Sequence, residues 1–177
     1  DIIWPIGHFG GMVSNAEVYD NYAYLTQGHY LSVMDLSGSG FQQTSSMYFP
    51  MELGKMIAPS DTAYLCEYHG ARFYTLDLSD PAHPDTLGVC QLSDSASARD
   101  MVKYGDYVYV AAWGLSVVDV SDPGAPQEVY YIPSSDVIAD RIAISNGYAF
   151  CLDTWYERLH VFDLYPLGEL HLSINKK

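Results

Sequence analysis

Short alternations of apolar and polar residues dominate this chain, and no stretch keeps a helical period. From Tyr107 to Val110 (YVYV) and from Leu115 to Val120 (LSVVDV), β-branched and aromatic residues crowd together. Such runs suit extended backbone, where successive side chains fall on opposite faces. The pair Gly105-Asp106 stands just before the first run. Gly, Asn and Asp tolerate positive φ, so this pair predicts a tight hairpin turn.

The same grammar occurs four times, in Ala16 to Ser37, Lys55 to Pro81, Met101 to Pro123 and Arg141 to Pro166. Each unit opens with a short strand A: Val18-Tyr19, Met56 to Ala58, Met101 to Tyr104 and Arg141 to Ile144. A turn pair follows: Asp20-Asn21, Ser60-Asp61, Gly105-Asp106 and Asn146-Gly147. Strand B comes next, then a variable loop, then strand C ending in Asp35, Asp77, Asp119 or Asp163. These aspartates are 42, 42 and 44 residues apart, and Tyr24, Tyr64, Tyr109 and Phe150 repeat in the same rhythm. Ser79-Asp80-Pro81 and Ser121-Asp122-Pro123 close two of the units, where proline stops the strand. A looser strand D is expected at Thr86 to Leu92 and Glu128 to Ile132.

A repeat of about 40–45 residues holding a four-stranded meander is the period of propeller blades. The expected fold is therefore all-β: a β-propeller of four-stranded antiparallel blades, four in this chain, and open to membership of a larger ring. One domain spans 1–177, with 1–14 as the outer strand of a preceding blade and blades at 15–53, 54–98, 99–139 and 140–177. Ile2 to Phe9 and Glu169 to Ile174 both read as D strands, which leaves one surplus outer strand. The rest of the propeller, or a second chain, would complete the ring, because a four-blade arc exposes an apolar face at each end.

Charge narrows the partners. Twenty-two acidic residues against eight basic ones give a formal charge of −14. Such a surface repels phosphate, which argues against nucleic acid as a partner. No apolar run approaches the roughly 20 residues of a membrane span, so no membrane insertion is expected. The chain opens on Asp1 without an initiator Met or an apolar leader, so it reads as a processed or excised segment. Cys66, Cys90 and Cys151 sit in apolar runs without knuckle spacing and read as small core residues.

Candidate chemistry is sparse. One aspartate per blade scatters carboxylates around the ring, whereas calcium needs six to eight oxygens at one centre. Asp-x-Ser is also a good local turn, so Asp35, Asp77, Asp119 and Asp163 read as structural. His29 and His69 share the loop between strands B and C and could approach one another with Glu67, but no metal and no cofactor are expected. No hydrolase elbow, phosphate loop or dinucleotide fingerprint is present, so no catalytic residue is assigned.

The less ordinary constellation precedes strand A, at Ser14-Asn15, Gly54-Lys55, Arg99-Asp100 and Asp140-Arg141. Strand A is innermost in a propeller, so these residues should ring one channel mouth. Arg99 could pair with Asp140, and Asp100 with Arg141. The B–C loops share that face and bring Tyr30, Tyr68, Trp113, Trp155, Tyr156, Glu157 and Arg158. The candidate ligand-binding set is Lys55, Arg99, Asp100, Asp140, Arg141, Tyr68, Trp113, Trp155 and Tyr156. Aromatics with a few charges suit protein or carbohydrate recognition.

At 105–126 (GDYVYVAAWGLSVVDVSDPGAP) and 73–88 (FYTLDLSDPAHPDTLG), and more loosely at 145–164 and 20–37, the chain resembles the LVIVD-repeat family of bacterial and archaeal surface-associated propellers. The resemblance implies the propeller fold and an extracellular or cell-surface setting. It carries no shared reaction and no catalytic residues. Ser37 to Gly40 and Tyr165-Pro166 depart from its Asp-Pro turn. The function expected is a non-catalytic binding or scaffold module that recognises protein or glycan through the B–C loop face. An enzyme at the channel mouth and a purely structural spacer are the other two readings.

Overall fold

A computed structural model describes residues 12–38, 41–93, 98–164 and 171–172. Among these residues there is no helix, and the strands form four antiparallel four-stranded sheets. Blade 1 contains β1 (Val13–Tyr19), β2 (Tyr22–Gln27), β3 (Tyr30–Asp35) and β4 (Gln42–Tyr48). Blade 2 contains β5 (Leu53–Ile57), β6 (Thr62–Glu67), β7 (Arg72–Asp77) and β8 (Asp85–Gln91). Blade 3 contains β9 (Asp100–Tyr104), β10 (Tyr107–Ala112), β11 (Gly114–Asp119) and β12 (Gln127–Ile132). Blade 4 contains β13 (Arg141–Ser145), β14 (Tyr148–Asp153), β15 (Arg158–Asp163) and β16 (His171–Leu172). Strand order follows the sequence within every sheet, and β1, β5, β9 and β13 pack side by side as the inner strands. This is the expected β-propeller arrangement.

Local chemistry explains the turns. Asp20, Gly105 and Asn146 take φ of 53°, 59° and 52°, and Gly147 takes 78°. These left-handed values are what a two-residue hairpin requires, and Asp, Asn and Gly reach them at low cost. Blade 2 differs: β5 ends at Ile57, so residues 58–61 form the link and Ser60-Asp61 is only its second half. The strand-C aspartates fold back on the chain. Asp35, Asp77 and Asp119 each accept a backbone N–H two residues on, from Ser37, Ser79 and Ser121, at 2.7, 2.8 and 2.9 Å. The Ser37 side chain together with its N–H holds the Asp35 carboxyl below the ordinary carboxylate pKa, and the Ser79 and Ser121 N–H groups, with their side chains, do the same for Asp77 and Asp119. The residue after each aspartate donates its N–H to the A–B turn: Leu36 to Asn21, Leu78 to Asp61, Val120 to Asp106 and Leu164 to Gly147.

Three buried clusters fill the three blade-to-blade contacts, and alternation along strand B decides which residue faces which neighbour. Tyr24, Tyr64 and Tyr109 face the following blade, whereas Ala63, Leu65, Val108, Val110, Ala149 and Cys151 face the preceding one. The three cysteines are unpaired; Cys66 and Cys151 are buried, and burial raises all three thiol pKa values, Cys90 to about 11. Hydrogen bonds latch the blades. The Tyr24 hydroxyl donates to Pro81 O of blade 2 at 3.0 Å, and the Thr75 hydroxyl donates to Pro123 O of blade 3.

Strand D is looser for a specific reason. Register shifts occur between Val33 and Met34, Thr75 and Leu76, and Val117 and Val118. In each case one residue of strand D, Thr44, Leu87 or Val129, has no partner in the ladder. A bulge therefore recurs in each of these outer strands, adding twist where the sheet is widest.

β1 begins at Val13 and β5 at Leu53, each ahead of its expected blade boundary. The expected outer strand at Ile2 to Phe9 lies outside the described residues, as does Tyr165-Pro166. Of the expected strand at Glu169 to Ile174, only His171–Leu172 is described, pairing with Asp163 and Phe162.

Gly88 has no room for a side chain against the neighbouring blade's backbone. A Cβ on Gly88 would stand 2.5 Å from Pro126 Cδ and 2.7 Å from Pro123 O, inside the contact between blades 2 and 3. Gly88→Ala should therefore destabilise the chain by about 1–3 kcal/mol, the usual cost of overpacking, as measured by urea unfolding. An unchanged midpoint would contradict the close approach described here.

Candidate functional site

Equivalent register brings Asn15, Lys55, Asp100 and Arg141 to one end of the four inner strands. With Tyr68 and Arg99 they line an open cavity of about 520 Å³. Backbone pairing accounts for the placement: each residue lies at or near the start of its strand, at the end away from the A–B turn.

Polar side chains tie neighbouring blades together here. Lys55 Nζ donates to Asn15 Oδ1 at 3.1 Å and to Glu17 Oε1 at 3.3 Å, joining blades 2 and 1. Arg99 Nη1 lies 3.0 Å from Asp140 Oδ1, joining blades 3 and 4, as the charge pattern suggested. The second suggested pair does not form. Asp100 Oδ2 instead accepts the Ile142 N–H at 3.1 Å, and its Oδ1 accepts the Met101 N–H at 3.0 Å. A backbone donor is fixed in place by the sheet, whereas Arg141 swings outward and donates Nη1 to Asp140 O at 2.7 Å. Among the described residues Arg141 has no carboxylate within ion-pair distance.

Asp140 is buried almost completely. Burial alone would raise its pKa, but hydrogen bonds from the Thr154 hydroxyl and backbone N–H outweigh it, helped by Arg99 and Arg141. The net effect holds its carboxyl below the ordinary range.

An aromatic shelf adjoins the cavity through Arg99. Trp113 alone links β10 to β11, at φ 67°, and its carbonyl accepts the Ala139 N–H at 3.0 Å. The Arg99 guanidinium stands 5.0 Å from the Trp113 ring centroid, within cation–π range. The Trp155 ring lies tilted against Trp113, with centroids 5.5 Å apart and planes at 34°. Trp155 and Tyr156 are each 61% exposed. Arg158 lies 5.0 Å over the Tyr156 ring. Buried Asp153 shapes the loop by accepting both the Trp155 and Tyr156 N–H groups at 3.0 Å. Sequence reasoning passed over Asp153, Thr154 and Glu17. The signal for Asp153 was present: an aspartate at the end of strand B, two residues before the aromatic pair.

Tyr30 lies at the start of β3 rather than in a loop, with its ring edge against Tyr48. His29 stacks on Tyr48 at 5.9 Å, and His69 lies edge-on to Tyr68 at 4.3 Å. Glu67 turns inward, accepting the Tyr74 hydroxyl at 2.8 Å with Arg72 at 3.6 Å. Among the described residues no group of three or more His, Cys, Asp or Glu is placed to hold a metal ion.

The LVIVD repeat family model matches residues 10–39 and 95–132. A solved structure from Bacteroides fragilis, provisionally named a 6-phosphogluconolactonase, superposes with a TM-score of 0.78 at 13% identity, over 90% of this chain and 53% of that one. A Bacteroides uniformis structure with the same provisional name gives 0.74 at 12%, over 86% and 50%. The computationally designed Ika4 protein gives 0.66 at 11%, over 88% and 92%. This chain thus spans about half the length of the two Bacteroides proteins. The comparison with curated proteins gives no match. At these identities the likeness extends to the fold alone.

Stability at the mouth should follow the titration of Asp140. Its lowered folded pKa means that its contribution is complete above the unfolded value of about 3.9 and fades as pH falls through the folded value. The stability difference between wild type and Asp140→Asn should be constant from about pH 7 to 5 and shrink below about pH 4. Urea unfolding across that range measures it.

Proposed function

We propose that this LVIVD-repeat propeller is a non-catalytic recognition module of an exported or cell-surface protein, engaging a protein or glycan through the B–C loop face. The exposed Trp155–Trp113–Arg99 stack, leading into the polar cavity, is the observation that carries this reading. A rigid sheet frame presents it, and flat aromatic surface loses little side-chain freedom on binding.

Catalysis at the same mouth has weaker support. The provisional lactonase names of the two Bacteroides structures raise the idea, yet the two central carboxylates are committed. Asp100 accepts two backbone N–H groups, and Asp140 is held by Arg99 and Thr154. Neither is set up as a general base, which must be free to reach a substrate proton. The spacer reading leaves the exposed tryptophan unexplained.

Trp155→Ala should weaken retention of labelled protein by about tenfold or more on arrays of glycans and of extracellular protein fragments, the scale of an aromatic hot spot. Lys103→Met, at the far end of β9, should leave retention unchanged. Equal retention of wild type and Trp155→Ala would remove this face from consideration.

The same reading includes a further blade, from the rest of the propeller or a second chain, covering the outer face of blade 4. Phe150, Leu152, Leu159 and Val161 occupy the register that Tyr109, Ala111, Leu115 and Val117 fill in blade 3. Leu115 is wholly buried, whereas Leu159 is 59% exposed. The chain on its own should therefore self-associate or bind an apolar dye, and Leu159→Glu should suppress both. Light scattering and dye fluorescence check this. A monomeric wild type that binds no dye would contradict it.

A further inference from the structure

The cavity at the channel mouth has more hydrogen-bond donors than its own acceptors use. Arg141 spends one N–H on Asp140 O and faces no carboxylate among the described residues. Arg99 Nη1 is ion-paired with Asp140, and among the described residues no hydrogen bond takes up the rest of its fork. Among the described residues Lys55 has one N–H left after Asn15 and Glu17. On the acceptor side, both Asp100 oxygens accept backbone N–H groups and Asp140 Oδ2 accepts from Thr154, while Asp140 Oδ1 makes no hydrogen bond among the described residues but is ion-paired with Arg99 at 3.0 Å. The mouth also gathers three of the chain's eight basic residues, in a molecule whose formal charge is −14. An uncommitted guanidinium in a polar hollow is a carboxylate receptor by geometry, because its planar fork matches two oxygens at once.

The lining narrows the ligand further. Ser14, Asn15, Lys55, Asp100 and Arg141 make a polar wall, so an apolar peptide side chain would leave polar groups desolvated without partners. A polyhydroxylated anion would satisfy them. The aromatic shelf is continuous with this wall, since Arg99 both lines the cavity and stacks on Trp113. A flat ring such as Trp155 can take the apolar face of a neighbouring sugar.

Resting on the recognition reading above, we propose that the mouth binds the carboxylate of an acidic sugar, a uronate residue of a glycan, with Arg141 and Arg99 on the carboxylate and Trp155 under the adjoining sugar. A phosphate could draw on the same donors. The uronate fits better, because phosphate would bring a second charge toward a strongly acidic protein.

The test uses the whole chain and titrates it with trigalacturonate, with its methyl ester and with galactose 6-phosphate, reading heats of binding and tryptophan fluorescence. Trigalacturonate should bind, and the ester should bind about 10–100-fold more weakly, the scale of a charge-assisted contact. Arg141→Met should lower trigalacturonate affinity by a similar factor and leave the ester unaffected. Lys103→Met should change nothing, and unfolding midpoints should certify that each variant is folded. Equal binding of acid and ester, insensitive to Arg141→Met but lost with Trp155→Ala, would overturn the carboxylate assignment and leave the recognition face standing. Preference for galactose 6-phosphate would overturn the uronate in favour of phosphate. No binding of any of the three would overturn the inference outright, and the recognition reading would then depend on the protein arm of the Trp155→Ala array comparison.

Discussion

The contact between one blade and the next governs this molecule. A four-stranded meander cannot bury both of its faces by itself, so each blade borrows a surface from its neighbour. Here the borrowing is specific. The forward tyrosine of strand B packs in the cluster shared with the next sheet, and in blade 1 its hydroxyl reaches Pro81 O in the following blade's turn. That turn keeps its shape because Asp77 closes it on Ser79. The packing thus depends on a polar turn as much as on apolar bulk, and Gly88 shows how closely the turn of blade 3 approaches blade 2.

The same stacking creates the mouth. Because the four inner strands share a register, residues one repeat apart converge on a common rim although they are some 40 positions apart in sequence. Inter-blade bonds from Lys55, Asp100 and Arg99 then serve two ends. They hold adjacent blades at a fixed angle, and they consume the carboxylates, which leaves cationic donors in surplus. A rim that offers cationic donors within an acidic protein discriminates by position: long-range repulsion discourages anions in general, and only one that reaches the rim gains the contacts.

Fold and site were not equally legible in the sequence. Period, turn pairs and strand order all follow from Asp35, Asp77, Asp119 and Asp163 and from the alternation around Tyr24, Tyr64 and Tyr109, because backbone geometry leaves few alternatives. The two LVIVD matches cover the first and third units and leave the second and fourth to be read from pattern alone. Side-chain partnerships were harder. Arg99 with Asp140 followed from charge, but Asp100 chose a backbone N–H over Arg141, a competition decided by where the sheet fixes the donor. The short link at Trp113 was visible as a loop, yet its left-handed backbone, which turns the indole toward Arg99, was not, since no glycine or asparagine marks it. The strand-D bulge was equally hidden, because an unpaired residue inside a ladder leaves no compositional trace.

That bulge has a consequence for how such a protein behaves at high local density. The outermost strand of a blade is an open edge, with backbone groups free to recruit another chain. Thr44, Leu87 and Val129 interrupt the ladder at the same place in three successive blades, so the rim is kinked at regular intervals. A flat incoming strand would keep register for only a few residues before meeting a dislocation. Crowded copies that meet rim to rim would then resist zippering into fibrils.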